Sequence, residues 1–478
     1  MGNLKLNSKI KFLMTNKIEL ISLVIMAIVL VLVRLWFVPT YYLMIIIGIN
    51  IYLLFKKVIN ELEFILYTMI MPSEFYSFIG LGIGVSILIY KIIRKKIDFD
   101  LDKKNDKILI VLIGFMLISG IINSIINKTI LSSLMSLGYI FIMLFLFKIT
   151  KSINYSSKDM LRLMDKIFII QVITIIFQYI DYGIIQAADA YSGTFSNAHR
   201  LCVWLIFYMI LIIIELYQKR NNSLKMTITK IILILILIYL SDGKHIILAA
   251  LVGMFFWGIF NLFKKTTNKK ILLSGISIFI MIYLGTNMAN NVNFKRYLES
   301  QSNYLYRYVY IDPYNNKFDY FNKTVNNKKI ILGYGPGFYG SRMANLRAHE
   351  YMAKEDGLAI SLSKIIKPYI VSDYKQFASK YNEEYLSKVK DMSAVLSYPF
   401  SSIISLIAEL GVIGYILWLL FFNSVEKYSK NKLYSLFPII LLVLMIFDSY
   451  FEMTAIISFF WVIMGVSQVE KKEIKLNY

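Results

Sequence analysis

Cysteine is almost missing from this chain. Cys202 stands alone, so no disulfide can form within it and cysteine usage says nothing of the redox compartment. Histidine is nearly as scarce, with only His199, His245 and His349. No H-x-x-H, H-E-x-x-H or cysteine cluster occurs, which argues against a metal site and leaves no cofactor to expect. Alternating apolar–polar stretches of about ten residues are also lacking, which argues against a membrane β-barrel. There is no solenoid-type repeat and no low-complexity tract.

Apolar side chains are what the chain has in excess. Hydrophobic residues make up 58% of it, where a soluble domain holds about 45–50%, and mean hydropathy is +0.61. The excess comes in runs of about 15–20 residues, the length a bilayer core asks of a helix. Helices also satisfy their own backbone in lipid. The chain therefore reads as an all-α integral membrane protein.

The net charge of +22 invites a nucleic-acid partner, but its distribution points elsewhere. Of the 52 Lys and Arg, 32 fall in segments assigned to one side of the membrane, four in short segments on the other, and 16 in one long loop. That asymmetry is the positive-inside pattern of a membrane protein. The basic ends suit anionic lipid headgroups, so membrane lipids are expected partners and nucleic acid is not. Lys5, Lys9, Lys11 and Lys17 precede the first apolar run. No small-residue cleavage site follows, so this run is expected to stay as an uncleaved first helix.

Apolar runs and flanking charge together give about 14 (12–14) transmembrane helices with both termini cytoplasmic. Residues 1–285 are expected to hold helices one to eleven, 286–398 a large extracytoplasmic loop, and 399–478 helices twelve to fourteen. The first span is placed at Ile18–Trp36 and the second at Tyr41–Phe55. Val58–Ile93, basic at both ends, is read as two short helices turning at Pro72–Ser77. The seventh is placed at Ile167–Ile180 and the eighth at Leu201–Leu216, after an outer loop Asp181–Arg200. The tenth is placed at Ile246–Phe263, after an outer turn Ser241–His245, and the eleventh at Ile271–Gly285. The last three are placed at Pro399–Phe422, Leu436–Phe447 and Thr454–Val466. Within the long loop, Asp312-Pro313 opens one predicted helix, with Phe318, Phe321 and Val325 on one face, and Ile365–Lys390 forms another.

Charges within the membrane are costly and mark functional candidates. Glu409 is the clearest, about 15 Å into the twelfth helix at 1.5 Å per residue. All three histidines fall on the outward side, and histidine is the commonest general base. Arg200 and Lys244 sit at helix ends against apolar runs. Arg296, Arg307, Arg342 and Arg347 lie in the long loop, and arginine forks suit phosphate oxygens. Arg34 reads as a side chain snorkelling to headgroups. Asp448 and Glu452 read as an ordinary solvated turn. Gly-Tyr-Gly-Pro-Gly at 333–337 is a turn by its chemistry and lacks the Lys-Ser/Thr of a nucleotide loop.

Four stretches, in order, carry a likeness. Ser192-Gly193-Thr194-Phe195-Ser196-Asn197-Ala198-His199 precedes a helix, and Ser241-Asp242-Gly243-Lys244 follows one. Leu332-Gly333-Tyr334-Gly335-Pro336-Gly337 lies in the large loop with Arg307 upstream. Pro399-Phe400-Ser401, then Glu409-Leu410-Gly411, leads into the helix after that loop. Between about Asp189 and Phe422 the chain thus resembles the O-antigen polymerase (Wzy) and O-antigen ligase superfamily of bacterial polysaccharide assembly. It departs from the pattern in three places. Phe400 stands where ligases carry a histidine, Ala190 where an arginine is expected, and Lys244 in place of an arginine.

The resemblance implies a membrane glycosyltransferase fold of GT-C type in the bacterial inner membrane. It implies a metal-independent transferase acting on oligosaccharide repeats linked to undecaprenyl pyrophosphate, with a chain-length regulator as a further candidate partner. On that reading Arg200, Lys244, Arg307 and Arg342 contact pyrophosphate. His349, Glu409 and His199 are the candidate bases. The missing histidine speaks against the ligase. A lipid-linked oligosaccharide flippase or small-molecule transporter would show related halves, and none is visible, nor would it account for a 110-residue outer loop.

Overall fold

The computed structural model describes residues 2–35, 37–97, 106–127, 130–183, 191–195, 197–218, 224–241, 243–263, 330–336, 401–429, 431–447, 451 and 453–469. Among these every regular element is helical. The helices are α1 (Gly2–Arg34), α2 (Leu43–Phe55), α3 (Glu61–Met69), α4 (Glu74–Ile93), α5 (Lys107–Asn127), α6 (Ile130–Ser152) and α7 (Ser157–Tyr182). They continue with α8 (Ala198–Tyr217), α9 (Leu224–Leu240), α10 (Lys244–Phe263), α11 (Ser402–Tyr428), α12 (Leu436–Phe447) and α13 (Thr454–Val469). Among the described residues, three stretches are long and apolar enough to cross a membrane: Phe75–Ile93, Ala198–Tyr217 and Ser402–Val425. The expected eleventh helix, both predicted loop helices, Asp448 and Glu452 lie outside the described residues.

Several helices begin earlier than their apolar runs. Ser156 caps α7 and forms a capping box with Asp159, and Asn197 caps α8 by accepting from the His199 N–H at 2.6 Å. A side-chain oxygen that satisfies an orphan amide lets a helix start on polar residues, beyond the edge of its hydrophobic stretch. His199 and Arg200 therefore belong to the first turn of α8, and Lys244 and His245 to the first turn of α10. They do not lie in the outer loop and turn where their polarity had placed them.

The chain divides into two compact units. The first comprises Met1–Asp100, Leu144–Leu248 and Thr454–Tyr478. Its centre is α13, buried along nearly its whole length and packed on α3, α4, α7 and α8. Trp204 of α8 meets Phe195, Tyr208 and Phe459, and Phe147 meets Trp461 edge-on. Helix α3 spans nine residues, which rise only about 13 Å. It lies against α4 where Gly80 and Gly84 recur at helical spacing: a Cβ on either would fall within 2.4 Å of Thr68 or Ile65. Small residues of this kind let two backbones approach closely. The basic ends are partly neutralised from within. Lys166 pairs with Glu19, Lys91 with Glu61, and Lys230 with Asp165, which also accepts from the Tyr208 hydroxyl.

The second unit comprises Leu101–Met143 and Ala249–Met453. Here α11 packs on α5 and α12. The Trp257 indole donates to Ser435 Oγ at 2.8 Å, and Ser401 Oγ donates to the Met445 carbonyl at 3.0 Å. Outside both cores large apolar side chains stay uncovered, among them Leu20 and Ile28 on α1, Ile118 on α5, and Ile232 and Ile236 on α9. Surfaces of this kind suit a hydrocarbon solvent.

Candidate functional site

The four stretches singled out by sequence fall into two structural pairs, one in each unit. In the first unit, the turn Ser192–Phe195 is buried, and α7 holds it with two glutamines. Gln171 donates to Thr194 Oγ1 at 2.6 Å and accepts from the Thr194 N–H at 2.9 Å. Gln178 accepts from the Gly193 N–H at 3.0 Å and donates to the Gly193 carbonyl at 3.3 Å. Each amide thus engages both its nitrogen and its oxygen. Gly193 has φ +58°, and a Cβ there would come within 2.2 Å of Gln171 Oε1. Only glycine fits both the left-handed backbone and the space.

From this turn the chain enters α8 through Asn197, with His199 half-buried and Arg200 buried. A cation in the first turn of a helix faces the positive end of the helix dipole. Arg200 bears that cost as well as the cost of burial. Local rules broken in this way are expected where function requires it. The second stretch lies beside the first: Gly243, immediately before α10, packs so closely on Cys202 that a Cβ would fall 2.2 Å from its Sγ. Cys202 is thus a packing residue of this contact. Lys244 opens α10 at this point.

Arg34, at the end of α1, joins the same region. Its Nε donates to Ser192 Oγ at 3.0 Å, and a terminal nitrogen donates to the same oxygen. The snorkelling expectation is corrected accordingly: the guanidinium binds the first glycine-containing turn.

In the second unit, α11 does not run straight through. Gly411 breaks it with φ 68° and ψ 178°, so Glu409 ends a short first segment and does not sit midway along a continuous helix as expected. Residues 330–336 lie across the break as a strap. The Tyr334 N–H donates to the Ala408 carbonyl and the Gly335 N–H to the Glu409 carbonyl, both at 2.8 Å. In return, the Val412 and Ile413 N–H groups donate to the carbonyls of Ile330 and Ile331, at 2.8 and 3.4 Å. The strap thereby satisfies carbonyls that end one helical segment and amides that begin the next, groups a break would otherwise leave orphaned.

Three glycines permit this approach. A Cβ on Gly333 would lie 2.3 Å from the Glu409 oxygen, one on Gly411 2.2 Å from the Ile331 oxygen, and one on Gly335 2.7 Å from Asn123 Cβ on α5. Tyr334 and Pro336 of the strap are buried, and so is Glu409. A carboxylate near a helix C-terminus is disfavoured by the dipole, so Glu409, like Arg200, occupies a costly position.

Of the other sequence candidates, His349, Arg307, Arg342, Arg296 and Arg347 lie outside the described residues, as does the side chain of Lys244. The reading of the sequence passed over Gln171 and Gln178. Their signal was available, since two glutamines seven apart share one face of an otherwise apolar helix. No protein-family model matches this chain, and no curated protein matches it.

Proposed function

We propose that this protein is a polysaccharide polymerase of the bacterial inner membrane. It is read as a fourteen-span, GT-C-like, metal-independent glycosyltransferase with both termini cytoplasmic. It joins undecaprenyl-pyrophosphate-linked oligosaccharide repeats on the outer face. The observation that carries the reading is the strap: Tyr334 and Gly335 hydrogen-bond to Ala408 and Glu409 across the Gly411 break. Two short motifs some 70 residues apart, chosen for likeness to one family, belong to one local structure.

In the proposed reaction an acceptor sugar hydroxyl attacks the anomeric carbon of the donor chain. The bond from that carbon to the pyrophosphate oxygen breaks, and undecaprenyl pyrophosphate departs with the electron pair. The hydroxyl proton passes to a base, for which Glu409, His349 and His199 are the candidates. Arg200, Lys244, Arg307 and Arg342 stabilise the charge that develops on the leaving group.

Deleting the gene in its own host and sizing the surface glycan and its lipid-linked precursors tests this. Single repeats at the surface with long chains absent is the result expected. Long chains stranded on the carrier would make the protein a ligase, and repeats trapped facing the cytoplasm would make it a flippase. Unchanged glycan would overturn the reading.

A further inference from the structure

Arg34 has the chemistry of an anion site that the four motifs do not include. Its guanidinium is half-buried, and its partner among the described residues is the neutral Ser192 hydroxyl. No carboxylate among those residues pairs with it. Among the described residues of the first unit, by contrast, Lys166 pairs with Glu19, Lys91 with Glu61, Lys230 with Asp165 and Arg162 with Asp159. Among the described residues, the ionisable group beside Arg34 is Tyr182, and a phenol is neutral at pH 7.

The donor balance is one-sided. Two guanidinium N–H groups take the two lone pairs of Ser192 Oγ, which leaves that hydroxyl only its hydrogen to offer. The rest of the arginine fork has donors alone. Arg34 and Ser192 together thus present N–H and O–H groups, a net positive charge and no acceptor. A charge at the end of an apolar helix that has no carboxylate partner among the described residues calls for a counter-charge. Arginine meets phosphate oxygens with two parallel hydrogen bonds. The turn that Arg34 binds leads within a few residues to His199 and Arg200.

We infer that Arg34, held by Ser192 against the Ser-Gly-Thr-Phe turn, is a binding residue for a phosphate oxyanion. Two sources offer that chemistry: an anionic lipid headgroup, or the pyrophosphate of the lipid-linked substrate. The second rests on the proposed polymerase function; the site itself does not.

The test uses the full chain in phosphatidylcholine nanodiscs. Radiolabelled undecaprenyl pyrophosphate and phosphatidylglycerol are titrated separately, and binding is compared among wild type, R34Q and S192A. Loss of one charge-assisted pair lowers affinity on the order of tenfold, so R34Q is expected to bind about tenfold more weakly. S192A keeps the charge and is expected to stay within roughly threefold. R34Q binding as wild type does, or S192A losing as much as R34Q, overturns the inference, because the arginine would then serve only to hold the turn. A second measurement needs no variant. Phenylglyoxal labelling of the wild type, mapped by mass spectrometry, is expected to show Arg34 protected by inorganic pyrophosphate; labelling unchanged by pyrophosphate contradicts the site. Arg34-dependent binding of undecaprenyl pyrophosphate in preference to phosphatidylglycerol assigns the substrate. Arg34-dependent binding of phosphatidylglycerol alone assigns the headgroup; the site then stands, and the polymerase reading is decided by its own gene-deletion test.

Discussion

The Gly335 N–H donates to the Glu409 carbonyl across 2.8 Å. That bond ties residues 330–336 to the point where α11 is interrupted, and it fixes the backbone that carries the buried Glu409. The strap and the helix break depend on each other. Without the strap, the groups around Gly411 would lack partners; without the break, the strap would have nothing to pair with.

Replacing Gly333 or Gly411 with alanine is expected to disrupt this arrangement. Both have positive φ, 76° and 68°, and both Cβ atoms would meet backbone oxygens. The left-handed conformation alone costs an L-residue about 1–2 kcal/mol, before any clash. Gly48→Ala on α2 is the control, since a Cβ there meets nothing within 4 Å. Thermal unfolding in detergent should drop for the first two variants and hold or rise for the third.

Glu409→Gln separates the carboxylate's chemistry from its place in the fold. The backbone bond to Gly335 remains, so thermal stability should stay close to wild type. If Glu409 is the general base, turnover should fall by roughly 10²–10⁴. A fully active variant would remove it and leave His349 and His199.

The glutamine clamp should show its worth in stability. Gln171→Ala leaves the buried Thr194 N–H and hydroxyl without their partner, at about 1–3 kcal/mol for each unsatisfied group. Gln178→Ala removes two bonds to Gly193. Both variants should lower the unfolding midpoint, and the double variant should lose more than either. Midpoints equal to wild type would contradict a clamp.

Arg200→Gln should act on the leaving group. Loss of a preorganised cation is expected to lower kcat/KM by about 10²–10³. Binding weakened with turnover at saturating substrate unchanged would make Arg200 a ground-state contact only.

Much of the helical framework was legible in the apolar runs. The helix expected at Leu436–Phe447 has the bounds found for α12, because an uninterrupted apolar run leaves little choice of boundary. Helix starts were less legible. His199, Arg200 and Lys244 read as loop because their polarity masked the first turns of α8, which Asn197 caps, and of α10. The break at Gly411 could not be read at all. Apolar residues continue on both sides of it, glycine is tolerated in helices, and the partners that stabilise the break lie some 75 residues earlier at Ile330–Gly335. The Arg34–Ser192 bond is hidden for the same reason, since its two ends are 158 residues apart.

The central claim is polymerisation, and reconstitution tests it most directly. Lipid-linked repeats extracted from the deletion strain would be added to the purified protein in proteoliposomes. Product length and free undecaprenyl pyrophosphate would then be measured together. The account predicts a ladder of lengthening chains, with one undecaprenyl pyrophosphate released for each repeat added and no requirement for added metal. Repeats that remain single, with no undecaprenyl pyrophosphate released by protein that is folded in the bilayer, would contradict it.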